Sequence, residues 1–189
     1  MKAWMNYAVT SSDNNSFYFE TSKGAVYELS FGDYYLHDYF EKEVVVKSMC
    51  LTRVPPNIRG KGCNHKDGYV HPTIASIILK YLDIYPNAAL LYVCHDNDKL
   101  GKARHRLFDR WYRSEKQLLA KYDTNDNEHQ HDFYSSIVMR RSNPTGLYLQ
   151  DAFKQTLKRY FPDDDRYPMP EAEWRLKNEE GFDGMFHLN

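Results

Sequence analysis

The chain has 189 residues and a mass of 22.4 kDa, enough for one domain with a substantial core. Its 25 lysines and arginines nearly balance 26 aspartates and glutamates, and a net charge of −1 argues against a non-specific polyanion binder, so nucleic acid is an unfavoured partner. We expect a cytoplasmic protein without a membrane partner, because no apolar run is long enough to span a bilayer and three cysteines are too few for a disulfide framework.

The first predicted elements are strands. Phe17 to Thr21 forms one strand, and Ala25 to Phe31 alternates apolar and polar residues with a period of two, as in the second strand of a hairpin. The aromatic segment Tyr34 to Phe40 fits a short helix or a loop. Glu43 to Val54 is rich in β-branched residues and predicts a long strand, which the pair Pro55-Pro56 stops.

Helices and strands then alternate along the chain. Apolar residues recur at helical spacing from Pro72 to Tyr85, and Ala88 to Cys94 is a short apolar run typical of a strand covered on both faces. A second helix is predicted from about Lys102 to Lys121. Phe133 to Arg141 alternates again as a strand, and a third amphipathic helix runs from Leu149 to Tyr160. A helix followed directly by a buried strand predicts a crossover between parallel strands.

This order of elements predicts a mixed α/β fold, with a twisted, mostly antiparallel sheet and helices on its faces. Residues 1–165 are expected to form a single α/β domain. Residues 166–189 carry Trp174, Phe182 and Phe186 and are expected to form a C-terminal segment docked on that domain. The chain also has 16 tyrosines, which we expect to serve packing or, as an alternative, a tyrosine-rich surface for homo-oligomers.

A glycine loop follows the long predicted strand and contains Arg59, Gly60, Lys61 and Gly62. Two glycines permit positive φ angles and let main-chain N–H groups approach a ligand closely, and the two cations favour an anion. The pattern therefore predicts a phosphate-binding loop. The alternative is a strand-to-helix connection whose cations are merely solvated.

The stretch from residue 43 to 115 resembles the central part of the GNAT superfamily of N-acetyltransferases. In that family a strand, a loop of the form Arg/Gln-x-x-Gly-x-Gly/Ala and a helix N-terminus hold the pyrophosphate of acetyl-coenzyme A. The residues that match this arrangement are Val54, Pro56, Arg59, Gly60, Lys61 and Gly62.

The resemblance implies a GNAT-like core that binds acetyl-coenzyme A, a small-molecule acyl carrier, through residues 59–62 and transfers the acyl group to an amine. His95, Asp96 and Glu28 are candidates for the base. The chain departs from the family pattern at Asn64 and at Phe108, where the family often has a tyrosine acid. A divergent fold of this type without a cofactor is therefore the alternative.

A second basic feature lies on the second predicted helix, where cations recur at helical spacing. They are Lys102, Arg106, Arg110 and Arg113. Their guanidinium groups could grip an anion, or they could form a solvated helix face with Asp109 as an ion-pair partner. Together with the glycine loop they support a rival hypothesis, a non-enzymatic binding module for an acidic protein or a nucleic acid. The Arg-x-Arg-Leu-Phe-x-Arg-Trp string here also resembles an uncharacterised bacterial family of unknown function.

Metal binding is not predicted. Cys63, His65 and His71 lie close together in sequence, but they do not have the paired spacing of a zinc site. Cys94, His95 and Asp96 follow one another at the end of a predicted strand, where catalytic groups of α/β proteins often lie. A buried cysteine and a loop-capping aspartate explain that sequence equally well.

Overall fold

A computed structural model of the protein describes residues 6–54, 67–95, 97–123 and 133–160. These residues form ten helices and strands. The strands are β1 (Val9–Ser11), β2 (Ser16–Glu20), β3 (Val26–His37), β4 (Glu43–Val54), β5 (Ala89–His95), β6 (Leu119–Asp123) and β7 (Phe133–Arg140). The helices are α1 (Val70–Ile84), α2 (Gly101–Glu115) and α3 (Gly146–Tyr160).

All seven strands of the described chain join one sheet in the order β1-β2-β3-β4-β5-β7-β6. Every neighbouring pair is antiparallel except β4 and β5, which run parallel because α1 carries the chain back between them. The predicted mixed α/β fold, with a mostly antiparallel sheet and helices on its faces, is confirmed.

The parallel pair β4 and β5 is short. Only Lys47 pairs with Leu90 and Ser48 with Leu91, although β4 continues to Val54 and β5 to His95. Over its whole length β5 also pairs with β7 on its other side. The two parallel strands therefore separate within the sheet, and past Leu91 the edge of β5 that faces β4 has no strand partner in the described chain.

The helices cover both faces of the sheet. On one face, Ile74 and Tyr81 of α1 and Phe108 of α2 pack with Leu90 and Tyr92 of β5. On the other face, α3 packs against the sheet through an apolar stripe that includes Leu149, Phe153 and Leu157. Because side chains alternate along a strand, β5 is buried on both sides, as its continuous apolar sequence predicted.

Two predictions for the N-terminal half were incomplete or wrong. The short edge strand β1 was not predicted, since its three exposed residues carry no hydrophobic alternation. The segment Tyr34 to Phe40 was expected to be a helix or a loop, but β3 continues through it to His37, where it pairs with Glu43. Cross-strand pairing with β4 over twelve residues outweighs the ambiguous local pattern.

The second helix was predicted too long. It ends at Glu115, a turn follows in which the Leu118 N–H donates to the Glu115 carbonyl (2.9 Å), and Leu119 begins β6. Leu118 and Leu119 continue the helical spacing of the apolar residues before them, which is why the sequence pattern missed the strand. Pairing with β7 decides the conformation of β6.

In the described part of the chain, no helix is both long enough and apolar enough to cross a membrane. The predicted C-terminal segment, residues 166–189, lies outside the described residues.

Candidate functional site

Two hollows flank β5 where β4 separates from it. The first, the helix-side slot, is a narrow apolar space of about 50 Å³ between α1, α2 and the two strands. Its lining includes Met49 of β4, Tyr92 of β5, Ile74 of α1 and Phe108 of α2. Met49 and Tyr92 both lie beyond the last pair of the two strands, so the slot lies directly beside their separation.

The second hollow, the α3-side cavity, lies on the opposite face of β5 and has a volume of about 420 Å³. Its described lining is mostly aromatic and aliphatic: Tyr34, Leu36, Leu91, Val93, His95, Phe133, Ser135, Phe153, Thr156, Leu157 and Tyr160. Val93 and His95 belong to the part of β5 that has no β4 neighbour. The cavity therefore lies beside the separation of β4 and β5 on the face of the sheet that α3 covers.

Hydrogen bonds fasten α3 to the strand β3 and so fix the walls of the α3-side cavity. The main-chain N–H of His37 donates to Oγ1 of Thr156 (2.7 Å), and the Tyr148 hydroxyl donates to Oδ2 of Asp38 (2.9 Å). Burial and then the Asp38 carboxylate raise the pKa of Tyr148 to about 12, so this phenol remains a donor at neutral pH.

The start of α1 offers little to an anion. No side chain of the described residues caps its first turn, but the Asp67 carboxylate lies just before the helix and accepts hydrogen bonds from the Tyr69 N–H (3.0 Å) and the Tyr7 hydroxyl (2.8 Å). His71 stacks on Trp111 of α2, with 5.4 Å between ring centroids. Burial lowers the pKa of His71, so it is neutral at pH 7.

The predicted phosphate-binding residues Arg59, Gly60, Lys61 and Gly62 lie outside the described residues. The segment that holds them follows β4 and precedes α1 in the chain.

The predicted arginine stripe is exposed on α2. Arg106, Arg110 and Arg113 all face solvent, and Arg113 forms an ion pair with Asp109 (2.6 Å). On a helix of 3.6 residues per turn, Arg106 and Arg113 lie on the side opposite Trp111, the residue that contacts α1. The stripe does not line either hollow in the described chain.

A buried charge cluster, which the sequence did not predict, lies beneath α2. The Lys121 side chain is 2% exposed, and its Nζ lies 2.6 Å from Oδ1 of Asp123 and 3.2 Å from Oδ1 of Asp109. Its ammonium also lies over the rings of Tyr92 and Tyr112, at 6.0 and 5.8 Å from their centroids. The cluster fastens β6 to α2 next to the slot.

The charges of this cluster shift the pKa values of Lys121 and Asp109. Burial acts to lower the pKa of Lys121, but the hydrogen bonds and charges of Asp123, Tyr92 and Asp109 outweigh burial and raise it. Burial acts to raise the pKa of Asp109, but Lys121 and Arg113 outweigh burial and lower it. Both groups are therefore charged at neutral pH, as a compensated buried pair must be.

Tyr92 supplies a pH-dependent contribution to stability. Burial raises its pKa from 10.0 to about 12, against the smaller opposing effects of Ser136 and Lys121, and its buried hydroxyl forms no hydrogen bond of ordinary geometry with the described residues. The raised pKa contributes stability that is complete below pH 10 and is lost as the pH rises to about 12.

We therefore expect Tyr92→Phe to change the free energy of unfolding at pH 7 by less than about 1 kcal/mol, since no well-formed hydrogen bond is removed. Between pH 10 and 12 the variant should lose less stability than the wild type, because it lacks this phenol. Urea unfolding at pH 7, 10 and 12 measures both effects. Equal alkaline losses in the two proteins would contradict the assignment.

The structure describes two of the three candidates for a base. His95, at the end of β5, lines the α3-side cavity. Glu28 of β3 accepts a hydrogen bond from the Tyr18 hydroxyl (3.0 Å) and does not line that cavity, and Asp96 lies outside the described residues. Burial raises the pKa of neighbouring Cys94 to about 11, against the charges of Arg104 and Lys121, so its thiol is neutral at pH 7 and is not an activated nucleophile.

No group of three or more histidines, cysteines, aspartates or glutamates with the geometry of a metal site occurs within residues 6–54, 67–95, 97–123 and 133–160. His71 bonds to Ser114 instead (3.1 Å). Cys63 and His65 lie outside those ranges.

One family model matches part of the chain. The model, described as a family of unknown function (DUF6169), matches residues 66–155. The match runs from just before α1 into α3 and contains the arginine-rich string of α2, which is compatible with the predicted resemblance to an uncharacterised family. The family models give no match to the GNAT superfamily, so that resemblance stays a prediction. No curated protein and no solved structure matches the chain.

Proposed function

We propose that this protein binds an acyl-coenzyme A at the separation between β4 and β5 and transfers the acyl group to an amine. The observation that carries the proposal is the short parallel pairing of these strands, with only two residue pairs, between two hollows on opposite faces of the sheet. Ligands of α/β sheets commonly bind where neighbouring strands stop pairing.

The exposed strand edges suit the pantetheine arm of coenzyme A. That arm contains two amides, and an extended amide chain can hydrogen-bond to a strand edge as an added strand does. Main-chain groups of β5 beyond Leu91 and of β4 beyond Ser48 supply such edges. The apolar slot beside them offers contacts for the methylene groups of the arm.

The glycine loop is the expected place for the pyrophosphate. It follows β4 directly in the chain, so we expect it to lie near one end of a ligand bound along the strand separation. The carboxylate of Asp67 at the start of α1 disfavours a phosphate there, which leaves Arg59 and Lys61 as the expected cations.

Acyl transfer requires one bond to form and one to break. The amine nitrogen forms a C–N bond to the acyl carbon while the C–S bond of the thioester breaks, and the nitrogen loses a proton as the thiolate gains one. His95 is the expected base, because it lines the α3-side cavity and histidine accepts protons near neutral pH.

Calorimetric titration with acetyl-coenzyme A tests this proposal. The wild type should bind saturably, and the double variant Arg59→Ala with Gly62→Val should bind at least about tenfold more weakly, because a cation and the close main-chain approach are both lost. The matched control is Arg106→Ala with Gly32→Val. Arg106 is exposed away from both hollows, and a Cβ at Gly32 would meet nothing within 4 Å.

We expect the control variant to bind acetyl-coenzyme A as tightly as the wild type does. Absence of binding by the wild type at millimolar ligand would overturn the proposal and leave a divergent fold without a cofactor. Weakening by Arg106→Ala with Gly32→Val, together with normal binding by Arg59→Ala with Gly62→Val, would instead place the anion on the arginine stripe, as the binding-module alternative requires.

A further inference from the structure

The lining of the α3-side cavity suits a planar, uncharged ring. Four aromatic rings, those of Tyr34, Phe133, Phe153 and Tyr160, line it together with several aliphatic side chains. Aromatic side chains bind planar rings by stacked or edge contacts. Its volume of about 420 Å³ is in the usual range for a small-molecule site.

The charge of the lining restricts the ligand further. None of the described residues that line the cavity is an aspartate, glutamate, lysine or arginine. An ammonium ion in the cavity would give up part of its hydration and would find no carboxylate among the described lining residues, so these residues favour an amine in its neutral form. A neutral amine is also the nucleophilic form.

We propose that the α3-side cavity binds a neutral aromatic amine, with the amino group directed to the β4–β5 separation, as the acyl acceptor. This inference rests on the proposed acyltransferase function and names the substrate class of the same site. Arylamines suit it best, because they carry no charge at neutral pH and need no base before they attack. The proton lost as the C–N bond forms passes to His95, which donates it to the departing sulfur as the C–S bond breaks, so the coenzyme leaves as its thiol.

The polar lining agrees with this orientation. Oγ1 of Thr156 donates to the Ala152 carbonyl (2.8 Å), so it is already engaged within α3. His95 lies at the end of β5, in the part of the strand that no longer pairs with β4. The ring of a ligand would therefore lie among the aromatic side chains and its amino group near the histidine.

Two isomeric amines provide the test, p-toluidine and benzylamine. They have the same atoms and nearly the same size, but at pH 7 the first is neutral and the second is a cation. Binding to the full-length protein without acetyl-coenzyme A is measured by titration with saturation-transfer NMR. We expect p-toluidine to bind at least about tenfold more tightly than benzylamine, a difference of 1.4 kcal/mol.

Two valine variants locate the binding. Val93 lines the cavity and is 39% exposed, so Val93→Trp should fill the space and abolish p-toluidine binding. Val45 of β4 is 54% exposed and does not line either hollow, so Val45→Trp should leave binding unchanged. Thermal unfolding measurements on both variants serve to check that each one folds.

Undetectable p-toluidine binding, tighter binding of benzylamine, or binding that survives Val93→Trp would each overturn the inference. A protein that binds p-toluidine in this manner but does not bind acetyl-coenzyme A would retain the aromatic-amine site and lose the proposed transferase function. A protein that binds the coenzyme but not p-toluidine would keep the proposed transferase function and lose the aromatic-amine site.

Discussion

Replacing Lys121 with methionine should lower the free energy of unfolding by about 2 to 3 kcal/mol, because it leaves two carboxylates without their shared buried cation. Lys121 contacts Asp109 and Asp123, whose side chains are 27% and 35% exposed. This partial exposure lets water compensate in part, so we place the effect at the lower end of the range for a broken buried pair. Urea unfolding at pH 7 measures the change.

Lys47→Met is the matched control for this prediction. Lys47 also lies on a strand and pairs with a carboxylate, that of Asp33, but the two side chains are 27% and 52% exposed. A pair of this kind contributes at most about 1 kcal/mol. If the two methionine variants lose the same stability, the buried cluster does not hold β6 to α2 as the geometry indicates.

His95→Gln should reduce kcat for acetyl transfer from acetyl-coenzyme A to p-toluidine by about 100-fold, the lower end of the usual effect of a general base. Glutamine retains much of the size and hydrogen bonding of histidine but cannot accept the proton. The affinity for acetyl-coenzyme A, measured by calorimetry, should be unchanged.

His37→Gln serves as the control, since His37 is a histidine of β3 that does not line either hollow in the described chain. It should leave kcat close to that of the wild type. A His95→Gln enzyme with normal kcat would remove His95 from the chemistry and make Asp96 the next residue to replace.

The strands and helices with strong hydrophobic periodicity could be predicted from the sequence. The β-branched run of β4 and the apolar run of β5 predicted strands whose bounds the structure reproduces closely, whereas the strand predicted to end at Phe31 continues to His37. The helical spacing of apolar residues likewise predicted α1 and α3, the helices that cover the two faces of the sheet. Period and length together carry this information.

Elements decided by partners distant in sequence could not be predicted. β6 is a strand because it pairs with β7, and its leucine at position 119 fits a helix equally well by spacing. The cluster around Lys121 could not be predicted either, because its carboxylates come from two elements, α2 and the end of β6. Nothing in the local pattern distinguishes a buried lysine from an exposed one.

The candidate site was predictable only in part. The glycine loop stands out by its residues, but the separation of β4 and β5 depends on the register of two strands that α1 keeps far apart in sequence. The α3-side cavity brings together β3, β5, β7 and α3. Its aromatic lining could be recognised only after the sheet order was known.

Hydrogen–deuterium exchange with and without saturating acetyl-coenzyme A shows whether the coenzyme occupies the separation between β4 and β5, because it reports on the strand edges themselves. We expect slower exchange in peptides that cover Met49–Val54 and Tyr92–His95, with the edge strand β1 unchanged as an internal control. Exchange that is unaltered in both peptides under conditions where the coenzyme is bound would contradict it.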